Sequence, residues 1–218
     1  MIWTISPHLT ACVAGDAIIL LDLRRDRYSR APAGIAGEMR DWFSEGGGAP
    51  PKAVGEFLVR SGLTDEAERA AISAAADQIF IPRSVPEDVP AAQLSRIETT
   101  RIASQVGATW LALRTRRLEP LIRDHRARRG VPSPTDPTTC PSLLAAYHRT
   151  RRLVPIRKNC LLDSLALDRW LGARTGRRNI VFGVTAEPFL AHCWLQTGDL
   201  LLNDHPDHVR RYSPILVV

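Results

Sequence analysis

One cysteine, Cys160, stands where the sequence predicts the start of a helix. Asn159 can serve as the helix N-cap, and apolar residues follow at helical spacing, including Leu161 and Leu165. A cysteine in the first helical turn feels the positive end of the helix dipole, which lowers a thiol pKa and favours the nucleophilic thiolate. A free cysteine is also often a small buried hydrophobe, so Cys160 alone does not establish a chemical role.

A histidine and an aspartate downstream give this cysteine a chemical context. The segment 189–204 consists of two apolar runs around a glycine-containing turn, which is typical of a β-hairpin. If the turn is centred on Gly198, His192 faces Asp204 with Cβ atoms roughly 5 Å apart, and the carboxylate can orient the imidazole. We therefore expect Cys160, His192 and Asp204 to serve as nucleophile, base and orienting acid. A loop with an even number of residues would break this pairing.

The same segments resemble the leader-peptidase domain of lasso-peptide biosynthesis protein B. That family is similar to transglutaminases and papain-like cysteine peptidases in fold and triad. The resemblance rests on CLLDSLAL, which begins at Cys160, and on GVTAEPFLAHCWLQTGDLLLND, which ends at Asp204. The positions that match the family pattern are Cys160, Ser164, Leu165, Gly183, His192, Trp194 and Asp204. Cys193 departs from the family, which usually has alanine there, and adds a second thiol beside the histidine.

The resemblance implies a cysteine peptidase that binds the leader of a ribosomally made lasso-peptide precursor and cleaves it off. Cys160 would attack the scissile carbonyl, His192 would transfer the proton, and Asp204 would orient His192. The chain itself would need no cofactor and no metal. A separate cyclase resembling asparagine synthetase is the implied partner, and any dependence on ATP would come through that cyclase.

Three alternatives remain open on the residues alone. A transglutaminase uses the same triad, but an amine rather than water resolves its thioester. The stretch His205-Pro206-Asp207-His208, beside Asp204 and His192, could gather a metal ion, although it is more typical of a solvated loop. The chain could also be a non-catalytic module that binds peptide or DNA.

The N-terminal part is predicted to form a separate small domain of short strands followed by three helices. The predicted strands and helices, in chain order, are strands at 2–5, 17–23 and 27–29, helices marked by 35–43 and 54–58, and a helix over 67–78. This order resembles the winged-helix recognition domain of peptide-modification systems, which binds a leader by adding it to a sheet edge. The resemblance makes Leu21, Leu23 and Tyr28 candidate leader-binding residues.

The predicted fold class is α+β, with a small winged-helix-like domain before a papain/transglutaminase-like cysteine peptidase domain. The predicted boundaries are 1–81 for the recognition domain, 82–94 for a proline-containing linker, and 95–218 for the peptidase domain. In the last of these, helices precede an antiparallel sheet. Pro214 places the final strand at the edge of that sheet, because proline cannot donate a ladder hydrogen bond.

Composition limits the partners and the location that we expect. The formal net charge is +6, and arginine supplies nearly all the positive charge. The densest cluster of arginines, interpreted as a solvated helix face, is Arg114, Arg116, Arg117, Arg123, Arg126, Arg128 and Arg129. No nucleic-acid motif accompanies it, so peptide and protein partners are expected instead of nucleic acid. No apolar run approaches the roughly 18 residues of a membrane span, and the start lacks signal-peptide features, so a cytoplasmic protein without a membrane partner is expected.

Overall fold

Two antiparallel sheets, one in each half of the chain, form the framework of the protein. They are seen in a computed structural model that describes residues 1–46, 48–64, 73–74, 82–86, 88–128, 140–172 and 178–218, with the backbone alone described for Ser73, Ala74, Arg128 and Cys140. In chain order the elements are β1 (Ile2–Ser6), β2 (Leu9–Ala14), β3 (Ala17–Asp22), β4 (Arg27–Arg30), α1 (Ala33–Ser44), α2 (Lys52–Arg60), β5 (Ser73–Ala74), α3 (Arg96–Thr115), α4 (Leu118–Arg128), α5 (Cys140–Arg151), α6 (Cys160–Leu171), β6 (Asn179–Ala186), β7 (Phe189–Thr197), β8 (Leu200–Leu201), α7 (Pro206–Val209) and β9 (Ser213–Val217).

The first sheet has the strand order β4-β3-β2-β1-β5. The predictions for β1, β3, β4, α1 and α2 are confirmed, whereas β2 was not predicted because alanine, which is depleted in strands, occupies two of its positions. The helix predicted over 67–78 lies mostly outside the described residues. Ser73 and Ala74, which lie within that range, form the short strand β5. The structure therefore shows a mixed α and β protein, and the winged-helix arrangement is not confirmed.

Strand β3 is buried on both faces, which accounts for its unbroken apolar sequence. Ile18 and Leu20 face α1 and α2 and belong to one buried cluster. Ile19 and Leu21 face the other way, in a second cluster that continues into α3, α6, β6 and β7. We call this second cluster the shared core. It joins residues from both predicted domains, whose boundaries stay a prediction.

The second sheet has the strand order β8-β7-β6-β9. Strands β6 and β7 form a long hairpin, and α6 packs against β7 with α3 behind it. Strand β9, which contains Pro214, lies at the edge of the sheet as predicted. Because β9 also contacts β1 and β2, the two sheets meet along this edge.

The predicted linker 82–94 runs beside the second sheet. The N–H of Arg83 donates to the carbonyl of Asp199, and the N–H of Leu201 donates to the carbonyl of Ser84. These bonds make Ser84 an extra, parallel bridge next to β8. Arg83 and Ser84, at the start of this segment, are therefore hydrogen-bonded to the sheet.

The predicted arginine face is divided between two helices. Helix α3 ends at Thr115 and α4 begins at Leu118, so the arginines do not share one helical face. Arg116 lies in the break and pairs with Asp124 at 2.8 Å, while Arg129 lies outside the described residues. Every helix in the described part of the chain is too short or too polar to cross a bilayer.

Candidate active site

Cys160 is the first residue of α6, as the sequence predicts. The side-chain oxygen of Asn159 accepts hydrogen bonds from the backbone N–H groups of Leu161 and Leu162, at 3.1 and 3.2 Å. The predicted N-cap is therefore confirmed. The cap leaves the half-buried thiol of Cys160 at the positive end of the helix dipole.

The hairpin that carries the other two candidate residues has a register different from the predicted one. The prediction of a loop centred on Gly198 is wrong, because Gln196 pairs with Leu201 across a two-residue loop. Gly198 has a positive φ of 56°, which a tight turn of this kind needs in its first loop position. If this register continued, Asp204 would lie on the face of the hairpin opposite to His192.

The ladder stops before that happens. The backbone N–H of Leu202 still donates to the carbonyl of Leu195. At the next residue, Asn203, a side-chain hydrogen bond replaces the backbone hydrogen bond of the ladder. Its Oδ1 accepts the N–H of Leu195 at 2.8 Å, and the chain bends there. Asp204 is thereby turned towards His192, and its Oδ2 hydrogen-bonds with His192 Nε2. The predicted contact is present although the predicted register is not.

Asn203 also joins α6 to the sheet. Its Nδ2 donates to Oγ of Ser164 at 2.9 Å, and that hydroxyl donates to the carbonyl of Cys193 at 3.4 Å. Ser164 lies one helical turn after Cys160, so these bonds hold the start of α6 beside β7. We call the pair Ser164 and Asn203 the polar clamp. Sequence reasoning missed Asn203, and the only available signal was a polar residue directly after the apolar run of β8.

A hydrogen bond links the thiol of Cys160 to the imidazole of His192. Burial raises the pKa of this thiol. His192 and the backbone N–H groups of Cys193 and Leu161 together lower it by a larger amount, so the net pKa lies below its ordinary value. Burial also disfavours the imidazolium, yet hydrogen bonds to Asp204 and Cys160 raise the pKa of His192 to about 9. The lowered pKa of the thiol and the raised pKa of the imidazole both favour a thiolate–imidazolium pair.

Asp204 is the charged partner on the other side of the ring. Burial raises the pKa of its carboxyl, but hydrogen bonds from His192, the backbone N–H of His205 and His208 bring that pKa below its ordinary value. Nδ1 of His208 lies 2.9 Å from Asp204 Oδ1, and the His208 ring packs edge-on against His192 at 4.6 Å. The carboxylate thus accepts from two imidazoles.

The same three residues are the metal-ligating group that the structure offers among its described residues. His192, Asp204 and His208 each present a ligand atom within 4.8 Å of the others. Two imidazoles and a carboxylate are a ligand set that Zn²⁺ uses in proteins. The sequence suggests a loop for His208, but the residue lies in the short helix α7. The metal alternative thus acquires a specific geometry, which shares His192 and Asp204 with the predicted triad and has His208 in place of Cys160.

Cys193, the second thiol of this region, is buried on the face of β7 that packs into the shared core. Burial raises the pKa of its thiol above the ordinary range. Cys193 is therefore held as a neutral thiol, whereas the pKa of Cys160 shifts in the opposite direction. The departure from the family pattern at Cys193 does not place a second thiolate in the site.

The candidate leader-binding residues lie on the first sheet. Leu21 and Leu23 are buried in the shared core at 0% and 1% exposure, so their side chains offer no surface to a ligand. Tyr28 is half-buried on the edge strand β4, and its ring lies 5.6 Å from that of Phe189. Leader binding by these residues stays a prediction, for which Tyr28 is the accessible candidate.

Two comparisons with known proteins found a match to part of the chain. The Transglutaminase-like superfamily profile matches residues 102–217, just over half of the chain, and this range contains Cys160, His192 and Asp204. The Microcin J25-processing protein McjB of Escherichia coli is 36% identical over 59 residues, which cover 27% of this chain and 28% of that protein. The similarity to McjB thus spans less than a third of the length of that protein. No solved structure matches the chain significantly.

Proposed function

Since the chain belongs to the transglutaminase-like superfamily, we propose that it is a cysteine peptidase that removes the leader from a lasso-peptide precursor. The observation that carries the proposal is the hydrogen-bonded series Cys160, His192 and Asp204, which begins at a helix N-terminus. Such a series of nucleophile, base and orienting acid is the arrangement that acyl chemistry requires. The similarity to McjB, which processes microcin J25, supports a peptide precursor as substrate.

The reaction would proceed through a thioester. Sγ of Cys160 bonds to the scissile carbonyl carbon, and the resulting oxyanion accepts from the free backbone N–H of Cys160. As the C–N bond breaks, the imidazolium of His192 gives its proton to the departing amine nitrogen. His192 then takes a proton from water, which attacks the thioester and releases the leader as a carboxylate. Asp204 stabilises the imidazolium throughout and fixes the ring orientation.

The superfamily match also favours a second candidate, acyl transfer. The first half of the reaction would be the same, but an amine would attack the thioester instead of water. Hydrolysis leaves a free carboxyl at the end of the leader, whereas transfer leaves an amide. The masses of the products therefore separate the two.

A partner enzyme follows from the proposed product. Cleavage frees the amino terminus of the core peptide, which is the nucleophile for macrocyclisation. We propose that an asparagine-synthetase-like cyclase uses it and consumes ATP, while this chain acts without a cofactor. Adding that cyclase should therefore convert the core peptide into a cyclic product. The same peptide bond should be cleaved with and without the cyclase.

Mass spectrometry of the precursor peptide encoded beside this gene tests the proposal. We expect the wild-type protein to produce leader and core, and Cys160→Ala to produce neither. Cys193→Ala is the matched control, because it removes the thiol next to His192 and should leave cleavage intact. Equal cleavage by wild type and Cys160→Ala would show that Cys160 is not the nucleophile. Binding of the leader without cleavage, with and without the cyclase, would favour a non-catalytic module.

A further inference from the structure

The edge of the first sheet contacts the hairpin that carries His192. The Tyr28 ring on β4 lies 5.6 Å from the ring of Phe189, the first residue of β7. Two residues further along β4, Arg30 Nη1 lies 3.0 Å from Glu187 Oε1, just before the same strand. Both contacts join β4 to the turn between β6 and β7. The N-terminal sheet is therefore part of the surroundings of the site.

Tyr28 and the proposed nucleophile both pack against the outside of the shared core. Burial raises the pKa of the Tyr28 hydroxyl, and electrostatic repulsion from Asp26 and Cys160 raises it further. The edge strand of the first sheet and the start of α6 therefore border the same buried cluster.

Strand β7 has an open edge beside that thiol. The N–H and the C=O of Leu195 both bond towards the β8 side. Backbone groups of every second residue point the same way, so those of Cys193 and Ala191 share this direction. The carbonyl of Cys193 accepts a hydrogen bond from Ser164 on α6. Strand β8 pairs with β7 only at Gln196 and Thr197. Within the described residues, no strand pairs with the exposed Ala191 on this side. An extended peptide can add to such an edge.

Large apolar side chains surround this open edge. Phe189 is 48% exposed and Leu190 is 43% exposed. Contiguous exposed apolar patches mark interaction sites and ligand-binding grooves. Every second side chain of an extended peptide faces the same way, so a peptide on the edge of β7 would turn one side chain towards Phe189 and Tyr28.

We propose that Tyr28 and Phe189 together form an aromatic subsite, which binds an apolar side chain of the precursor peptide close to its scissile bond. This inference rests on the proposed peptidase function and adds to it a source of specificity. The first sheet would then select the bond that is cut, in addition to any capture of the leader at a distance. Tyr28 would be a specificity-determining residue supplied by the N-terminal half of the chain.

Coupling between enzyme and substrate substitutions tests the subsite. The residues nearest the scissile bond of the neighbouring-gene precursor are replaced by alanine one at a time, and kcat/KM is measured for wild type, Tyr28→Ala and Phe189→Ala. We expect each enzyme variant to lose about tenfold or more on the unsubstituted precursor. At one apolar position, the alanine peptide should be a poor substrate for wild type but should cause little further loss in either variant. Tyr28→Phe keeps the ring and should therefore keep the coupling to that apolar substrate position.

Arg27→Ala is the matched control, because Arg27 is exposed on the same strand. Its effect should add to that of every substrate substitution. Phe189 is half exposed, so Phe189→Ala keeps the test readable if Tyr28→Ala lowers stability. Additive effects at every position for both Tyr28→Ala and Phe189→Ala would overturn the subsite and leave the peptidase proposal standing. A wild-type protein that cleaves nothing would overturn the peptidase proposal and the subsite with it.

Discussion

At the scale of single residues, the ionisation of Cys160 and His192 leads to a specific pH dependence. The thiolate forms above the lowered pKa of Cys160, and the imidazolium survives up to the pKa of His192 at about 9. We expect kcat/KM to rise through the pKa of Cys160, to be highest between the two pKa values and to fall above about pH 9. Measuring kcat/KM on the precursor across this range checks the profile.

Asp204→Asn should change that profile in a defined direction. Asp204 raises the pKa of His192, so its neutralisation should move the alkaline limb to lower pH and reduce kcat by roughly 10²–10⁴-fold. Asp207→Asn is the control, because Asp207 is exposed and pairs with His205 and Arg210 instead. An alkaline limb that stays in place in Asp204→Asn would mean that this carboxylate does not set the ionisation of His192.

The polar clamp should affect the reaction by position alone. Asn203→Ala removes the bonds to Leu195 and Ser164, whereas Asn203→Asp keeps the acceptor for Leu195 and loses the donor to Ser164. A displacement of about 1 Å at a catalytic group costs on the order of 100-fold, so we expect Asn203→Ala to lose that much in kcat with little change in KM. The aspartate variant should lose less.

A readout of the thiol separates positioning from general damage to the fold. We expect the thiolate absorbance of Cys160 to titrate at higher pH in Asn203→Ala and in Ser164→Ala, because the start of α6 is no longer held beside His192. Ser104→Ala, at an exposed serine of α3, is the control and should titrate as wild type does. An unchanged thiolate titration with a lowered kcat would show that the clamp acts elsewhere.

At the scale of elements, local signals predicted the helix start and the hairpin but not how they fit together. The cap at Asn159 involves residues within one turn, so the sequence predicts it directly. The register depends on whether the loop around Gly198 has two or three residues, and Thr-Gly-Asp suits either. The contact between His192 and Asp204 forms despite the different register, because Asn203 ends the ladder. The side-chain contact between Asn203 and Leu195 has no signature in the local sequence.

Gly183 shows how closely the elements of the hairpin are fitted. It pairs with His192, and a Cβ at this position would lie 2.7 Å from Trp194 Cζ3 and 2.8 Å from Tyr212 Cβ. Trp194 is 1% exposed and has no room to move. We expect Gly183→Ala to lower the free energy of unfolding by about 1–3 kcal/mol and to reduce activity, because the strand behind His192 must shift. Denaturant unfolding measures the first effect.

A glycine on α3 provides the matched comparison. An added Cβ at Gly107 meets nothing within 4 Å, and alanine favours a helix. Gly107→Ala should therefore leave stability unchanged or raise it by about 0.5–1 kcal/mol. If both glycine variants unfold at the same denaturant concentration, the close approach of Trp194 and Tyr212 does not constrain the hairpin.

At the scale of the whole molecule, the sequence predicts two domains with a linker, whereas one buried cluster joins both halves. The prediction relies on three prolines in the segment 82–90 and on a change of pattern there, which are local features. The packing of β2 and β3 against β6 and β9 depends on residues far apart in the chain. An apolar sequence on both faces of β3 predicts that both faces are buried. It does not predict which elements pack against each face.

The shared core predicts how the protein unfolds. Leu20 and Leu21 are neighbours on β3 with 0% exposure, but Leu20 faces α1 and α2 while Leu21 faces the shared core. If the halves unfold as one unit, calorimetry should show a single transition whose calorimetric and van't Hoff enthalpies agree. Leu20→Ala and Leu21→Ala should each move that whole transition to lower temperature, because each should lower the free energy of unfolding by about 2–5 kcal/mol. Two transitions, of which Leu20→Ala moves only one, would instead indicate halves that fold independently, and a subsite built from Tyr28 and Phe189 would then depend on how tightly those halves dock.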